Sequence, residues 1–386
     1  MSTALVFEPA PASAATREVR AEVRAFLAKE TPGGAFGPQH GAGTSRYDPD
    51  FSRRMGERGW IGMTWPKKYG GHERSHLERY AVLEECFVAN APLWFHFIAD
   101  RQSGPVLLKY AAEPIKENLL PRIARGELCF CIGMSEPDSG SDLFAAKASA
   151  VRTNDGWRLN GRKLWTSHAH QADYMIGVFR TSPRTDVDRR FGLSQFLIDM
   201  GSPGITTRPV LHPNGGHEFN EVTFDDVELP TKNLLGEVDM ASAQLTSELA
   251  FERSGPERFL ETYGVLRELV ALAAENPDAR AAEAVGRLSA QLHVLRQMSL
   301  SVAARLEAGE EPLLEAAVVK EVGTVWEQAL PAVARDVAAL IEASDAARES
   351  FETALRATTL IAPKLTIQGG TIEILRGIIA RGIGLR

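Results

Sequence analysis

Four stretches of this 386-residue chain carry side chains that could do chemistry. The first is Cys131–Leu143, CIGMSEPDSGSDL, and the second starts at Asn160, NGRKLWTS. Ser135, Ser141 and the backbone of the Met134 to Ser141 loop offer donors in a turn shaped by Gly and Pro. Such donors suit ring oxygens, a pyrophosphate or an acidic ligand arm, although Ser and Gly are ordinary turn residues too. Trp165 can cover one face of a planar heterocycle or fill a core, and Thr166 and Ser167 place hydroxyls beside it. Glu136 and Asp142 read as braces of the loop. The third stretch, LTSELAFERSGPERF, sets Glu252 directly before Arg253. Pro256 follows four residues later, cannot donate to the carbonyl of Glu252, and should bend a helix there. The fourth is IQGGT, where Gly369 has a backbone N–H that could polarise a carbonyl. His168 and His170 form an H-x-H pair without a third ligand near in sequence, so a turn or strand-edge role is expected and no metal. There is no G-x-G-x-x-G after a strand, no P-loop and no G-x-S-x-G.

The elements that must position these residues follow from periodicity. After Gly236 the chain is rich in Ala, Leu, Glu and Arg, and its apolar residues recur at three and four, so residues 236–386 should form a helical bundle. Residues 129–235 hold six short β-rich runs: ASAVRT, WRLNGRKLWTS, YMIGVFRT, SQFLIDM, ITTRPVL and EVTFDDVEL. Turn signals such as Asn154-Asp155-Gly156 and Asn214-Gly215-Gly216 separate them, which predicts a small antiparallel β domain. Residues 16–128 read as a helical domain and residues 1–15 as a loose tail. Net charge is −7 without a Lys/Arg block, which argues against nucleic acid as a partner. Three cysteines are too few and too odd in number for a disulfide framework, and no apolar run reaches the roughly 18 residues of a membrane span. The first residues do not form a charged segment followed by an apolar core, so a cytoplasmic protein is expected.

The motif S/T-E-P-x-x-G-S-D followed by N-G-x-K-x-W-x-[ST] resembles the flavin-binding core of the acyl-CoA dehydrogenases. FDDVELPTKNLLGE, GGTIEILRGIIARGIGLR and GWIGMTWPKKYGG are similar to other segments of that family, so the resemblance covers nearly the whole chain. It implies an α+β fold in which an N-terminal α-helical domain, a middle antiparallel β-barrel-like domain and a C-terminal four-helix bundle follow one another. It also implies FAD, held by Met134, Ser135, Gly140, Ser141, Trp165, Thr166, Ser167 and Thr371. The acyl-CoA substrate would meet Ser141, Arg253 and Gly369. The reaction would be α,β-dehydrogenation of the thioester, in which a carboxylate takes the α-proton and flavin N5 takes the β-hydride.

In many members of the family the base immediately precedes the Gly-Thr of the C-terminal segment, and here that place is Gly369. A second branch, resembling isovaleryl- and long-chain-type enzymes, carries it before an arginine on the first long C-terminal helix. On that pattern Glu252 is the base. Two segments by which homotetrameric members complete a neighbour's flavin site are absent: the corresponding regions read ENPDARAAEAVGRLSAQ and DVAALIEASDAARESFE. The resemblance is therefore to the heteromeric actinobacterial sterol-side-chain type. It implies a homologous partner subunit in an α2β2 assembly, with a homo-oligomer as the other arrangement. It also implies a bulky, branched or sterol-derived acyl group and an electron-transfer flavoprotein as acceptor. A flavin oxidase or monooxygenase on the same scaffold, and a non-catalytic subunit, are the competing readings.

Overall fold

The computed structural model describes residues 5–31, 36, 46–185, 187–245 and 253–385. In chain order its α-helices are α1 (Ala14–Glu30), α2 (Pro49–Glu57), α3 (His76–Val88), α4 (Trp94–Ile98), α5 (Gly104–Tyr110), α6 (Glu113–Ala124), α7 (Tyr263–Glu275), α8 (Ala279–Glu307), α9 (Leu313–Ala338), α10 (Asp345–Leu365) and α11 (Ile372–Gly382). The chain forms two compact units. One comprises residues 1–46, 74–93 and 249–386, the other residues 47–73 and 94–248. The helices of the segment 16–128 are thus shared between the two.

In the first unit the long helices begin where short polar side chains can cap them. Ser13 accepts from the amide of Thr16, Ser75 and Glu78 form a reciprocal capping box, and Asp278 and Ser344 cap α8 and α10. α1 buries Val19, Val23, Phe26 and Leu27, one stripe at helical spacing, and packs on α3. Helices α7 to α10 make the expected bundle, and α11 packs against α9. Along residues 5–13, part of the segment expected as a loose tail, the Val6 amide donates to Glu315 at 3.2 Å and that of Glu8 to Ser301 at 2.8 Å. Phe7 packs there on Val302, Ala316 and Val319, and this apolar anchor explains the order.

The second unit is built on a sheet ordered β6-β7-β3-β2-β4-β5-β8, with β1 paired to β4. The strands are β1 (Phe130–Gly133), β2 (Ser149–Arg152), β3 (Gly156–Ser167), β4 (Tyr174–Arg180), β5 (Leu193–Asp199), β6 (Ile205–Leu211), β7 (His217–Pro230) and β8 (Leu234–Leu235). All six expected runs are strands. The sheet is mixed rather than purely antiparallel, because β1 runs parallel to β4 and β2 touches β4 in parallel. Four-residue β1 and two-residue β8 are too short to show a period of two. The core beneath the sheet includes Trp157, Leu159, Phe179, Phe196, Val222 and Phe224. No helix among the described residues is long and apolar enough to cross a membrane.

Candidate active site

In the second unit the loop after β1 is built around one buried carboxylate. Glu136 accepts from the amides of Lys147 at 2.7 Å and Ala148 at 3.0 Å, and from Lys163 Nζ at 2.8 Å. Lys163 Nζ also donates to the carbonyl of Met134 at 3.2 Å. Burial lowers the Lys163 pKa, and the charge and hydrogen bond of Glu136 oppose that shift. Paired amide–carbonyl bonds between Glu136 and Ser139 close the turn, and Ser139 Oγ donates to the carbonyl of Asp142 at 2.7 Å. Glu136 is therefore a brace, as expected. Asp142 is exposed and faces Arg189 at 3.6 Å. Gly140 and Ser141 are exposed on the outer side of the turn, and a Cβ on Gly140 would meet no atom within 4 Å. Met134 is half-buried against the cluster of Ala146, Val178 and Leu193.

The loop is joined to the second motif by the Leu164 amide, which donates to the carbonyl of Ser135 at 2.8 Å. Along β3 the inward positions are Trp157, Leu159 and Lys163, and strict alternation would turn Trp165 inward as well. It does not, because Lys163 pairs with Val222 and Thr166 with Asn220, three steps on β3 against two on β7. This bulge, with Trp165 at φ 61°, puts the Trp165 ring outward at 55% exposure and turns Thr166 inward. Trp165 rests edge-on against Phe219 at 5.8 Å. Thr166 Oγ1 is buried with no hydrogen-bond partner among the described residues. Ser167 ends the strand opposite Phe219 and is half-buried. His168 and His170 follow in a turn, where His168 stacks on Trp94 at 4.4 Å and His170 on His217 at 3.8 Å. No metal-binding group of His, Cys, Asp or Glu exists among the described residues.

In the first unit Glu252 lies outside the described residues, and the neighbouring segment begins at Arg253. Arg253 is 7% exposed, and its Nε donates to the carbonyl of Gly369 at 3.1 Å. Pro256 opens a 3-10 turn, Pro256–Arg258, whose first residue needs no amide donor. Arg258 is buried and covers Gly369 so closely that a Cβ there would stand 2.8 Å from the guanidinium. Gly369 and Gly370 have φ of 72° and 96°, which only glycine adopts without strain. A side chain at the place that could have held a carboxylate would therefore strain the backbone and displace Arg258. Thr371 caps α11, its Oγ1 accepting from the Ile374 amide at 3.4 Å, which leaves its O–H able to donate.

Sequence reasoning missed several groups around these residues. Gln368 Nε2 donates to Glu261 at 3.0 Å, and the Thr262 amide donates to Glu327 at 3.3 Å. Glu327 is pushed up to about 8, first by burial and then by the charge of Glu261, so it is protonated at neutral pH. The inward register of Lys163 was a readable signal. Glu327 sits on a long helix among ordinary helix formers and gave none.

Residues 13–127, 131–227 and 265–384 match the N-terminal, middle and C-terminal domains of acyl-CoA dehydrogenases. The acyl-CoA dehydrogenase FadE26 of Mycobacterium tuberculosis is 30% identical over 383 residues, 94% of this chain and 94% of its own length. This chain belongs to the acyl-CoA dehydrogenase family. It is an oxidoreductase of a family of flavoproteins. Two solved structures are similar at the level of fold and sequence. The Tcur3481-Tcur3483 steroid ACAD superposes with a TM-score of 0.84 at 26% identity, over 97% of this chain and 98% of that one. The ChsE4-ChsE5 complex from Mycobacterium tuberculosis gives 0.81 at 28%, over 97% of each chain.

Proposed function

We propose that the chain catalyses FAD-dependent α,β-dehydrogenation of a bulky, branched or sterol-derived acyl-CoA, with Glu252 as the base. The observation that carries this reading is the Trp165–Thr166 bulge. A large aromatic face is turned outward beside a buried hydroxyl that has no partner among the described residues, and both are tied to the Ser135 loop. A buried unsatisfied hydroxyl is costly and calls for a ligand atom. Residues Met134, Ser135, Gly140, Ser141, Trp165, Thr166, Ser167 and Thr371 would hold FAD, which when bound supplies the hydride acceptor.

The chain's own residues do the rest. Glu252 removes the α-proton, and Gly369 offers its N–H to the thioester carbonyl, which raises the acidity of that proton. Packing of Arg253 and Arg258 against Gly369 and Gly370 supports a base elsewhere than position 369, since a side chain there would strain the left-handed backbone and displace Arg258. Ser141 and Arg253 are the further substrate contacts. The name of the steroid ACAD supports a ring-bearing acyl group, and the ChsE4-ChsE5 complex supports a partner subunit. The assembly proposed is α2β2 with a homologous subunit, and the acceptor proposed is electron-transfer flavoprotein. The domains implied are residues 16–128, 129–235 and 236–386.

The test is anaerobic mixing of the purified protein, alone and with candidate partner subunits, with straight-chain, branched and steroid-ring acyl-CoA esters. Flavin bleaching together with a product two hydrogens lighter supports the reading. Hydrogen peroxide as the obligatory product in air, an oxygenated product, or a complex that holds no flavin overturns it.

A further inference from the structure

The histidines after β3 surround a buried amide that touches the ligand face. Asn220 is fully buried on β7, opposite Thr166 on β3. Its Nδ2 donates to the carbonyl of Thr166 at 3.1 Å and to that of Glu218 at 3.4 Å. Its Oδ1 accepts from His217 Nε2 at 2.8 Å and from His170 Nδ1 at 3.2 Å. A primary amide has two donor hydrogens and two acceptor lone pairs, so every hydrogen-bonding position of Asn220 is used. The two backbone carbonyls fix which end of the amide is the nitrogen. That choice forces both histidine nitrogens to carry hydrogens, which also fixes the tautomers of the neutral rings.

The Thr166 carbonyl lies directly after the bulge. The register shift at Leu164–Trp165 ends where Thr166 resumes pairing with Asn220, and the side-chain amide of that same Asn220 adds a bond to the carbonyl. We propose that Asn220, held by the His170–His217 pair, is a positioning residue that fixes Thr166 and Ser167 against the flavin edge. This rests on the reading of Thr166 and Ser167 as flavin contacts given above.

The support is conditional on charge. The His170 and His217 rings are stacked 3.8 Å apart and 14° from parallel. One added proton leaves both donors to Asn220 in place, whereas two place like charges face to face and drive the rings apart. Burial and His217 hold His170 below the usual histidine range, in that order of size, so the second proton enters only in acid. The other titratable groups around the pair are His168, whose ring centre lies 5.9 Å from that of His170, and His212, which faces Glu218 at 3.3 Å.

The experiment measures FAD affinity and the visible flavin spectrum from pH 5.5 to 8 for the protein as isolated, for Asn220→Leu and for His217→Phe. His217→Phe keeps a ring on His170 and removes one donor, so it remains decisive should Asn220→Leu fail to fold. The wild type should bind FAD more weakly at the acid end. Asn220→Leu should weaken FAD roughly tenfold, about one hydrogen bond, with an altered flavin band at neutral pH. His217→Phe should weaken it less and flatten the acid dependence. A purely structural role would lower melting temperature and leave spectrum and pH dependence alone. Variants that match the wild type in affinity, spectrum and pH dependence overturn this inference while leaving the flavin reading intact. Wild-type protein that takes up no FAD in any assembly overturns both.

Discussion

The two units solve the burial of charge in opposite ways. Beneath the Met134–Ser141 loop, one acid meets one base: Glu136 and Lys163 are 8% and 0% exposed and neutralise each other. Around the Gly369 loop two acids crowd each other: the charge of half-buried Glu261 adds to burial in raising buried Glu327, against the opposing charge of Lys320. The crowding is relieved by a proton on Glu327. Lys320 Nζ spends its donors on the Leu365 carbonyl at 2.8 Å and on Thr324 Oγ1. The difference teaches that the loop proposed to cradle a ligand is held by a directly bonded pair of opposite charge. The loop proposed to hold the thioester instead adjoins a group that titrates.

Breaking the balanced pair should have the largest effect. Lys163→Met leaves Glu136 buried and unpaired and should cost about 3–5 kcal/mol in urea unfolding. Adding Glu136→Gln should recover most of that loss, since the comparison rests on charge balance and not on lysine as such. If the double variant is no more stable than the single one, the balance argument fails.

The region of crowded acids is sharpened by Glu327→Gln. The Glu327 carboxyl is raised from the ordinary 4.5 to about 8, so the folded chain keeps a proton that the unfolded chain releases. The stability this contributes is complete below pH 4.5 and is lost progressively as pH rises to about 8. Glu327→Gln removes that slope, which melting curves from pH 5 to 8.5 would reveal as a flatter profile than the wild type. An unchanged slope would locate the extra proton elsewhere.

Gly369→Ala should have the smallest effect on stability. The left-handed backbone costs about 1–2 kcal/mol with a Cβ, and Arg258 must also give way. Because the strain falls on the proposed thioester donor, KM for acyl-CoA should rise more than the melting temperature falls. Equal loss of stability in the absence of any change in KM would detach Gly369 from the substrate.

The strands that carry the site were legible because half-buried β3 alternates and turn residues bracket it. The bundle was legible because Ala- and Leu-rich helices repeat at three and four. The Trp165 bulge was not, since nothing in NGRKLWTS announces that β7 skips a residue opposite it. Nor was the grip of Asn220 on Thr166, which depends on a pairing across 54 residues of chain. Glycines at 369 and 370 could be seen in the sequence, but the reason for them, two arginines packed on a left-handed turn, is a tertiary fact. The division of residues 16–128 between two units was equally hidden, because helical periodicity says which face is buried and not against what.

The central claim is that the base is Glu252 and not a group at position 369. Stopped-flow mixing of Glu252→Gln with an acyl-CoA that bleaches the wild type, under anaerobic conditions, tests it most directly. The account predicts unchanged FAD content and acyl-CoA binding, with flavin reduction slowed by about 10²–10⁴-fold, the range for losing a general base. Reduction at the wild-type rate would contradict it.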